Sequence, residues 1–403
     1  MQEKQIAYKR DLVKQLYLNR ELSCAELSVL TGKSIPLTAR VLNELIEDEI
    51  VTETGFANST GGRRPLIYSL RHDQLYVVSI SMDQMITRIV LMDLNNAYVG
   101  KVKKIELPLA NNPGALDQLA FEIEEFIKSS DVNKEKIAGI GIGMPGFVDV
   151  VKGINHSFLK SARGTSIVET IESVTGIPVL IDNDSSLIAL AELRFGAARN
   201  KQNAMVINVG WGVGLGMILK GELFRGYNGF AGEFSHIPLF TNHKMCSCGK
   251  TGCLETETSL VVIVEKAIKG LQDGKLSMLK NLSKDRIEEA SEAIMGAALK
   301  GDQFAIELIS EAAYHIGRGV AILIHLINPE LIVLSGRGSA AGKLWLTPIQ
   351  QAINEHCIPK IAEDTEIEIS SLGYQGELIG GAALVMEHYD QLDIKRNKLV
   401  DMK

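Results

Sequence analysis

Three of the five cysteines in this 403-residue chain fall within the eight positions Cys246-Ser-Cys248-Gly-Lys-Thr-Gly-Cys253, ten residues after His236. Thiolates bond zinc tightly and imidazole suits it as a fourth ligand, so the tract reads as a closed Cys3His structural zinc site. Gly249 and Gly252 let the loop curl until several sulfurs face one point. The plainer alternative is a set of reduced, half-buried thiols. Thiols kept only for packing, however, have no reason to cluster beside glycines. Cys24 and Cys357 stand alone and read as ordinary small apolar residues.

Directly before the tract runs VINVGWGVGLGMILKGELFRGYNGFAGEFSHIP, with glycines at 210, 212, 214, 216, 221, 226, 229 and 232 followed by Glu233 and His236. The ordered combination of these glycines, His236, CxCGxxGC and Glu255 resembles the signature of the ROK family of repressors, open reading frames and kinases. The resemblance implies an α/β fold, the duplicated ribonuclease-H-like architecture of actin and the sugar kinases, in two lobes. The pattern of the body agrees. Residues 75–107 suggest three strands joined by tight turns, then a helix around 115–129 and another strand, and residues 204–225 repeat the three-strand theme. The stretch LGYQGELIGGAALVMEHYDQL reads as a helix returning to the first lobe.

A chain of this length holds two or three domains. Its formal charge is −7, but the first 71 residues carry a slight excess of Lys and Arg, so an anionic partner is sought there. No apolar run approaches the roughly 20 residues of a membrane span. With no membrane insertion and no apolar leader, the reading is a soluble cytoplasmic protein with reduced thiols. The expected division is 1–71, then a first lobe over 72–190 completed by 376–403, and a second lobe over 191–375.

In the first segment Leu12, Val13, Leu16 and Tyr17 recur at helical spacing. Ser23 with Glu26 forms a capping-box pattern, Gly32 closes that helix, and Ser34 and Pro36 open a third one. Its buried stripe is Leu37, Val41, Leu42, Leu45 and Ile46. Helix, helix, glycine turn, helix is helix-turn-helix order, and VTETGFANSTGGRRPLIYSL adds a β-wing with Arg63 and Arg64 just past its tip. Lys33, Ser34, Thr38 and Arg40 are expected to meet base edges or phosphates, and the wing arginines phosphates or the minor groove of operator DNA. A protein-interaction module is the alternative. The segment is also similar to the DNA-binding domain of ROK repressors, whose wing carries a Gly-Arg-Pro element.

The family resemblance further implies a sugar site. Asn183 and Asp184 match the family's Asn-Asp pair, in which Asp is the general base of kinase members. Glu233, His236 and Glu255 match its ligands of sugar hydroxyls, and Gly146 lies in a loop approaching the sugar. Vicinal hydroxyls donate and accept together, which carboxylates and an amide can answer. For Asp184 the bland reading is a cap on the following helix. The phosphate loops depart from the kinase pattern. The first stands as Ser81-Met82-Asp83-Gln84-Met85-Ile86 without its glycines, and the second as Gly210-Trp211-Gly212 with an indole replacing a hydroxyl. Residues 332–342 keep their glycines.

These features predict a winged-helix regulator, a repressor of carbohydrate genes, with a zinc-stapled, kinase-derived body that senses a sugar or sugar phosphate and leaves Asp184 a vestigial base. The competing enzyme reading is an ATP-dependent hexose or aminohexose kinase carrying a DNA-binding arm. A third reading has a protein partner, such as a sugar-transporter component, in control. One winged helix has too small a footprint for specific binding, so a homodimer or a tetramer is expected.

Overall fold

The computed structural model describes residues 2–56, 64–160 and 164–392, which form two compact units, 1–184 with 378–403 and 185–377.

Unit 1 opens with helix α1 (Gln2–Asn19), strand β1 (Glu21–Ser23), helices α2 (Cys24–Thr31) and α3 (Ile35–Glu47), and strands β2 (Val51–Phe56) and β3 (Leu66–Leu70). The capping box forms: Ser23 Oγ accepts the Glu26 N–H and Glu26 Oε2 accepts the Ser23 N–H. Gly32 ends α2 with φ 64°, where a side chain would be strained. Leu12, Val13, Leu16 and Tyr17 of α1 are buried, as are Leu27 of α2 and Val41, Leu42 and Leu45 of α3. The wing is a sheet of order β1-β3-β2. Residues 57–63, which hold the wing tip and Arg63 just past it, lie outside the described residues.

The body of unit 1 comprises β4 (Tyr76–Met82), β5 (Ile86–Asp93), β6 (Tyr98–Glu106), α4 (Ala115–Ser129), β7 (Ile137–Met144), the short β8 (Val148–Asp149) and β9 (Ile154–Asn155), α5 (Ile167–Thr175) and β10 (Val179–Asn183). The sheet order is β10-β7-β4-β5-β6, with the first three parallel and the rest an antiparallel meander. Residues of α4 and α5 share one core cluster with Val78, Ile80, Met82 and Ile142.

Unit 2 contains α6 (Asp184–Phe195), which begins at the division, β11 (Asn203–Val209), β12 (Val213–Leu219), β13 (Glu222–Leu223), α7 (Glu255–Thr258), α8 (Leu260–Gln272), α9 (Ile287–Leu299), α10 (Gln303–Ile327), β14 (Leu331–Ser335), α11 (Leu346–His356), α12 (Pro359–Ala362) and β15 (Glu366–Ile369). Its sheet, β13-β12-β11-β14-β15, repeats the three-strand theme with β11 to β13. Ile188, Ala189 and Leu193 of α6 share a core cluster with Ala204, Val206 and Val333.

The last helix, α13 (Gly376–Glu387), crosses the division and lies on the unit 1 sheet from Leu378 onward. Gly381 meets Gly141 so closely that a Cβ at Gly141 would collide with the Gly381 carbonyl, and Ser79 Oγ donates to Leu378 O at 2.6 Å. No helix among the described residues is long and apolar enough to cross a membrane.

Candidate functional site

The cysteine loop folds back through bridges at Pro238 with Cys253 and Met245 with Thr251. Gly252 (φ 77°) lies against the Phe240 carbonyl with no room for a Cβ. The result brings His236, Cys246, Cys248 and Cys253 together, with ligand atoms all within 4.8 Å of one another. His236 Nδ1 stands 3.5 Å from Cys246 Sγ, and Cys248 Sγ 3.7 Å from Cys253 Sγ. Around a tetrahedral ion, metal–sulfur bonds of ~2.3 Å and metal–nitrogen bonds of ~2.05 Å give edges of about 3.8 Å and about 3.5 Å. The spacing therefore fits a four-coordinate metal ion. With Nδ1 turned to the sulfurs, Nε2 faces Glu233 Oε2 at 3.6 Å, the carboxylate–histidine arrangement that orients a metal ligand.

Glu233 and Glu255 lie beside this loop in unit 2. Burial lifts the Glu233 carboxyl above its ordinary pKa and the Glu255 carboxylate pushes the same way, while His236 opposes. The Glu233 side chain is 47% exposed, so water moderates the lift. Glu255 Oε2 accepts the Val213 N–H at 3.4 Å, joining the carboxylate to the Gly210–Gly212 loop.

In unit 1, the pairing of Asn183 with Met144 sets the ends of β10 and β7 side by side. Asn183 Nδ2 donates to Gly146 O at 3.2 Å, and Asn155 Nδ2 to Pro145 O at 2.9 Å, so the Gly146 loop is held to the residue before Asp184. Asp184 is the first residue of α6. Thus Gly146 and Asn183 come together in one unit, and Glu233, His236 and Glu255 in the other.

The first phosphate-loop position closes as a hairpin on its own carboxylate. Asp83 Oδ1 accepts the Met85 and Ile86 N–H groups at 2.9 and 2.7 Å, consuming amides of the kind a phosphate would need. In unit 2, Trp211 of the second loop meets Arg337, which follows β14. The guanidinium sits 4.7 Å from the Trp211 ring centre and 4.2 Å from that of Tyr374. Arg337 Nη1 is 2.6 Å from Glu288 Oε1, and Nη2 donates to Tyr374 Oη at 2.8 Å. Sequence reasoning misses this cluster; the indole in place of a hydroxyl is its only signal.

On the winged helix, Lys33, Ser34, Arg40 and Arg64 are exposed. Thr38 is not. It is fully buried, its hydroxyl 2.7 Å from Tyr8 Oη and 3.0 Å from Ser34 O, so its expected base contact is withdrawn. Ile35, 55% exposed at the start of α3 and off the buried stripe, is the face residue overlooked.

The sequence profile of the ROK family matches residues 78–388. A glucokinase of Halalkalibacterium halodurans is 33% identical over 298 residues, 72% of this chain and 90% of that protein. A putative xylose repressor of Caldicellulosiruptor sp. (strain Rt8B.4) is 28% identical over 386 residues, 93% of this chain and 94% of the repressor. A crystal structure of a ROK family transcriptional regulator, described as a homologue of E. coli MLC, aligns with TM-score 0.76 and 28% identity, covering 97% of this chain and 98% of its own.

Proposed function

The chain belongs to the ROK family, and from that premise we propose that it is a DNA-binding repressor of carbohydrate genes, controlled by a sugar or sugar phosphate. The similarity to the putative xylose repressor covers 93% of the chain, which takes in at least part of the winged helix, whereas that to the glucokinase covers 72%. Lys33, Ser34, Arg40 and Arg64 contact operator DNA, with Arg63 added by the wing tip and Ile35 available to a thymine methyl. Gly146, Asn183, Asp184, Glu233, His236 and Glu255 recognise the sugar. A structural zinc ion on His236, Cys246, Cys248 and Cys253 holds Glu233 and Glu255 in place. The protein acts in the cytoplasm as a homodimer or tetramer, and a sugar-transporter component is a further candidate partner.

The observation that carries the choice between regulator and kinase is the Arg337 stack. A cation wedged between Trp211 and Tyr374 and paired to Glu288 occupies the loop ends where an α/β fold receives a nucleotide. Together with the Asp83 hairpin it supports sugar binding without phosphoryl transfer, which depends on positioned phosphate-cradling groups. The enzyme reading retains one favourable observation, Asp184 at the head of α6 together with the glucokinase similarity.

The test runs a panel of hexoses, pentoses, aminosugars and their phosphates by thermal shift, an ATP-coupled kinase assay, and binding to duplexes selected in vitro with the full chain. The expectation is a sugar-dependent change in duplex affinity and no turnover. Arg40→Ala should also relax sequence preference, and Arg64→Ala should lower affinity and the salt slope uniformly. Turnover lost in Asp184→Asn would establish the kinase instead.

A further inference from the structure

We infer that the winged helix is a rigid extension of the unit 1 body, mounted on a socket formed by the β5–β6 turn and the end of the last helix, with Tyr17, Arg20 and Lys14 as its positioning residues. The inference rests on the proposed DNA-binding role for its purpose, but not for its geometry.

The socket begins with the turn Asp93-Leu94-Asn95-Asn96-Ala97. Asp93 Oδ1 accepts the Asn95 and Ala97 N–H groups at 2.9 and 2.8 Å, and Asn96 takes a left-handed conformation with φ 63°. Tyr17, 1% exposed near the end of α1, donates its hydroxyl to Asn96 Oδ1. Just past the end of α1, in a left-handed conformation with φ 72°, Arg20 places its Nη1 to donate to Leu94 O at 3.0 Å. On the other side α1 meets the segment after α13: Lys14 Nζ is 3.1 Å from Asp390 Oδ1, and the Arg10 guanidinium is 5.2 Å from the Tyr389 ring centre.

The connection between the wing and β4 is short and tied at both ends. Arg71 N–H donates to Ile50 O at 2.8 Å and Tyr76 Oη to Asp73 O at 3.0 Å, while Lys136 Nζ donates to Gln74 Oε1 at 3.0 Å. Of these, the Lys136–Gln74 contact ties the connection to the body, which a head on a free tether would lack.

The placement has a functional consequence. Asp93 pairs with Tyr76 at the start of β4, whereas Gly146 follows the far end of β7 and Asn183 is the last residue of β10, strands that run parallel to β4. The seven residues of β4 make that distance about 20 Å. The sugar-candidate loops and the DNA head thus occupy opposite edges of one sheet. A ligand at one edge reaches the head by moving the body that carries it, with the socket fixing the head's direction.

The experiment is hydrogen exchange on the full chain, comparing wild type with Asn96→Gly and Tyr17→Phe. Glycine keeps the left-handed turn and deletes only the amide, and Phe keeps the buried ring, so both variants spare the head's own core. Amides of residues 71–75 and 94–97 should exchange at least tenfold faster in each variant, with α1, α3 and β4 unchanged. Unchanged exchange at 71–75 and 94–97 in both variants would overturn the mount.

A second arm measures affinity for in vitro selected duplexes carrying one or two half-sites. Loosening the head should weaken two-site binding about tenfold and leave one-site binding within twofold, because only the former uses the heads' fixed spacing. Equal effects on both duplexes would remove the positioning role. No duplex binding by wild type would remove the DNA reading while the exchange result still decides the mount.

Discussion

Replacing Arg337 with Ala is the sharpest perturbation of the loop cluster that follows β14. The side chain has two aromatic neighbours, Trp211 and Tyr374, and one carboxylate, Glu288, with only 13% of Arg337 and 22% of Glu288 side-chain area exposed. Each ring contact is worth about 1 kcal/mol at this depth. The ion pair lies between the exposed class, under about 1 kcal/mol, and the buried class, where losing one partner costs roughly 3–5 kcal/mol, so about 1–2 kcal/mol is assigned to it. The sum is about 3–4 kcal/mol. For a unit of this size, at roughly 2–4 °C per kcal/mol, the melting transition should fall by about 10 °C. Arg286→Ala supplies the control, since its pair with Glu289 is 61% and 68% exposed and should shift the transition by no more than about 2 °C. Calorimetry of both variants gives the comparison, and titration with magnesium-ATP follows. If Arg337→Ala melts within about 2 °C of wild type, the stack adds no stability and is a loose surface contact rather than a fixed plug of these loops.

Metal analysis should find about one zinc per chain, and Cys253→Ser should lower both metal content and melting temperature, because binding energy at such sites is folding energy. Full metal retention after both Cys248 and Cys253 are replaced would end the zinc reading. Glu192 offers a pH test. Burial raises its pKa above the ordinary 4.5, against hydrogen bonds from Ser370, Ala197 and Ser335. A carboxyl raised in the folded state holds its proton more tightly there, so its contribution is present below pH ~4.5 and lost as pH climbs through the raised value. Urea midpoints at pH 4.5 and 7.5 should therefore shift in favour of Glu192→Gln at the higher pH, and a variant–wild-type difference independent of pH would contradict the assignment.

Local chemistry makes the winged helix and the cysteine loop legible from the residues alone. Ser23, Glu26 and Gly32 state where α2 starts and stops, and His236 through Cys253 holds a whole ligand set in one short segment. Thr38 is misread because its polarity hides its position. It stands three, four and seven residues before Val41, Leu42 and Leu45, hence on their buried side, and its hydroxyl is answered by Tyr8 on another helix. The Arg337 cluster is illegible for a related reason. Its three partners come from separate stretches, and only the tertiary fold of unit 2 sets Trp211, Glu288 and Tyr374 around one guanidinium.

In the proposed reading, the two sheets explain why such a change of use is structurally inexpensive. Asp83, Trp211 and Arg337 each follow the end of a strand whose buried residues they do not disturb: Ile80 and Met82 in β4, Ile207 and Val209 in β11, Leu334 in β14. Side chains at strand ends can change the chemistry of an α/β fold while its cores keep their packing. The Asp83 carboxylate takes up the Met85 and Ile86 amides, and Glu288 takes up the Arg337 charge, so the altered loops leave these groups paired. Restoring one loop alone is therefore a poor route back to catalysis. A glycine at position 83 would free the Met85 and Ile86 amides while leaving the Trp211–Arg337 stack of the other unit untouched, so Asp83→Gly alone should not confer ATP turnover in a coupled kinase assay.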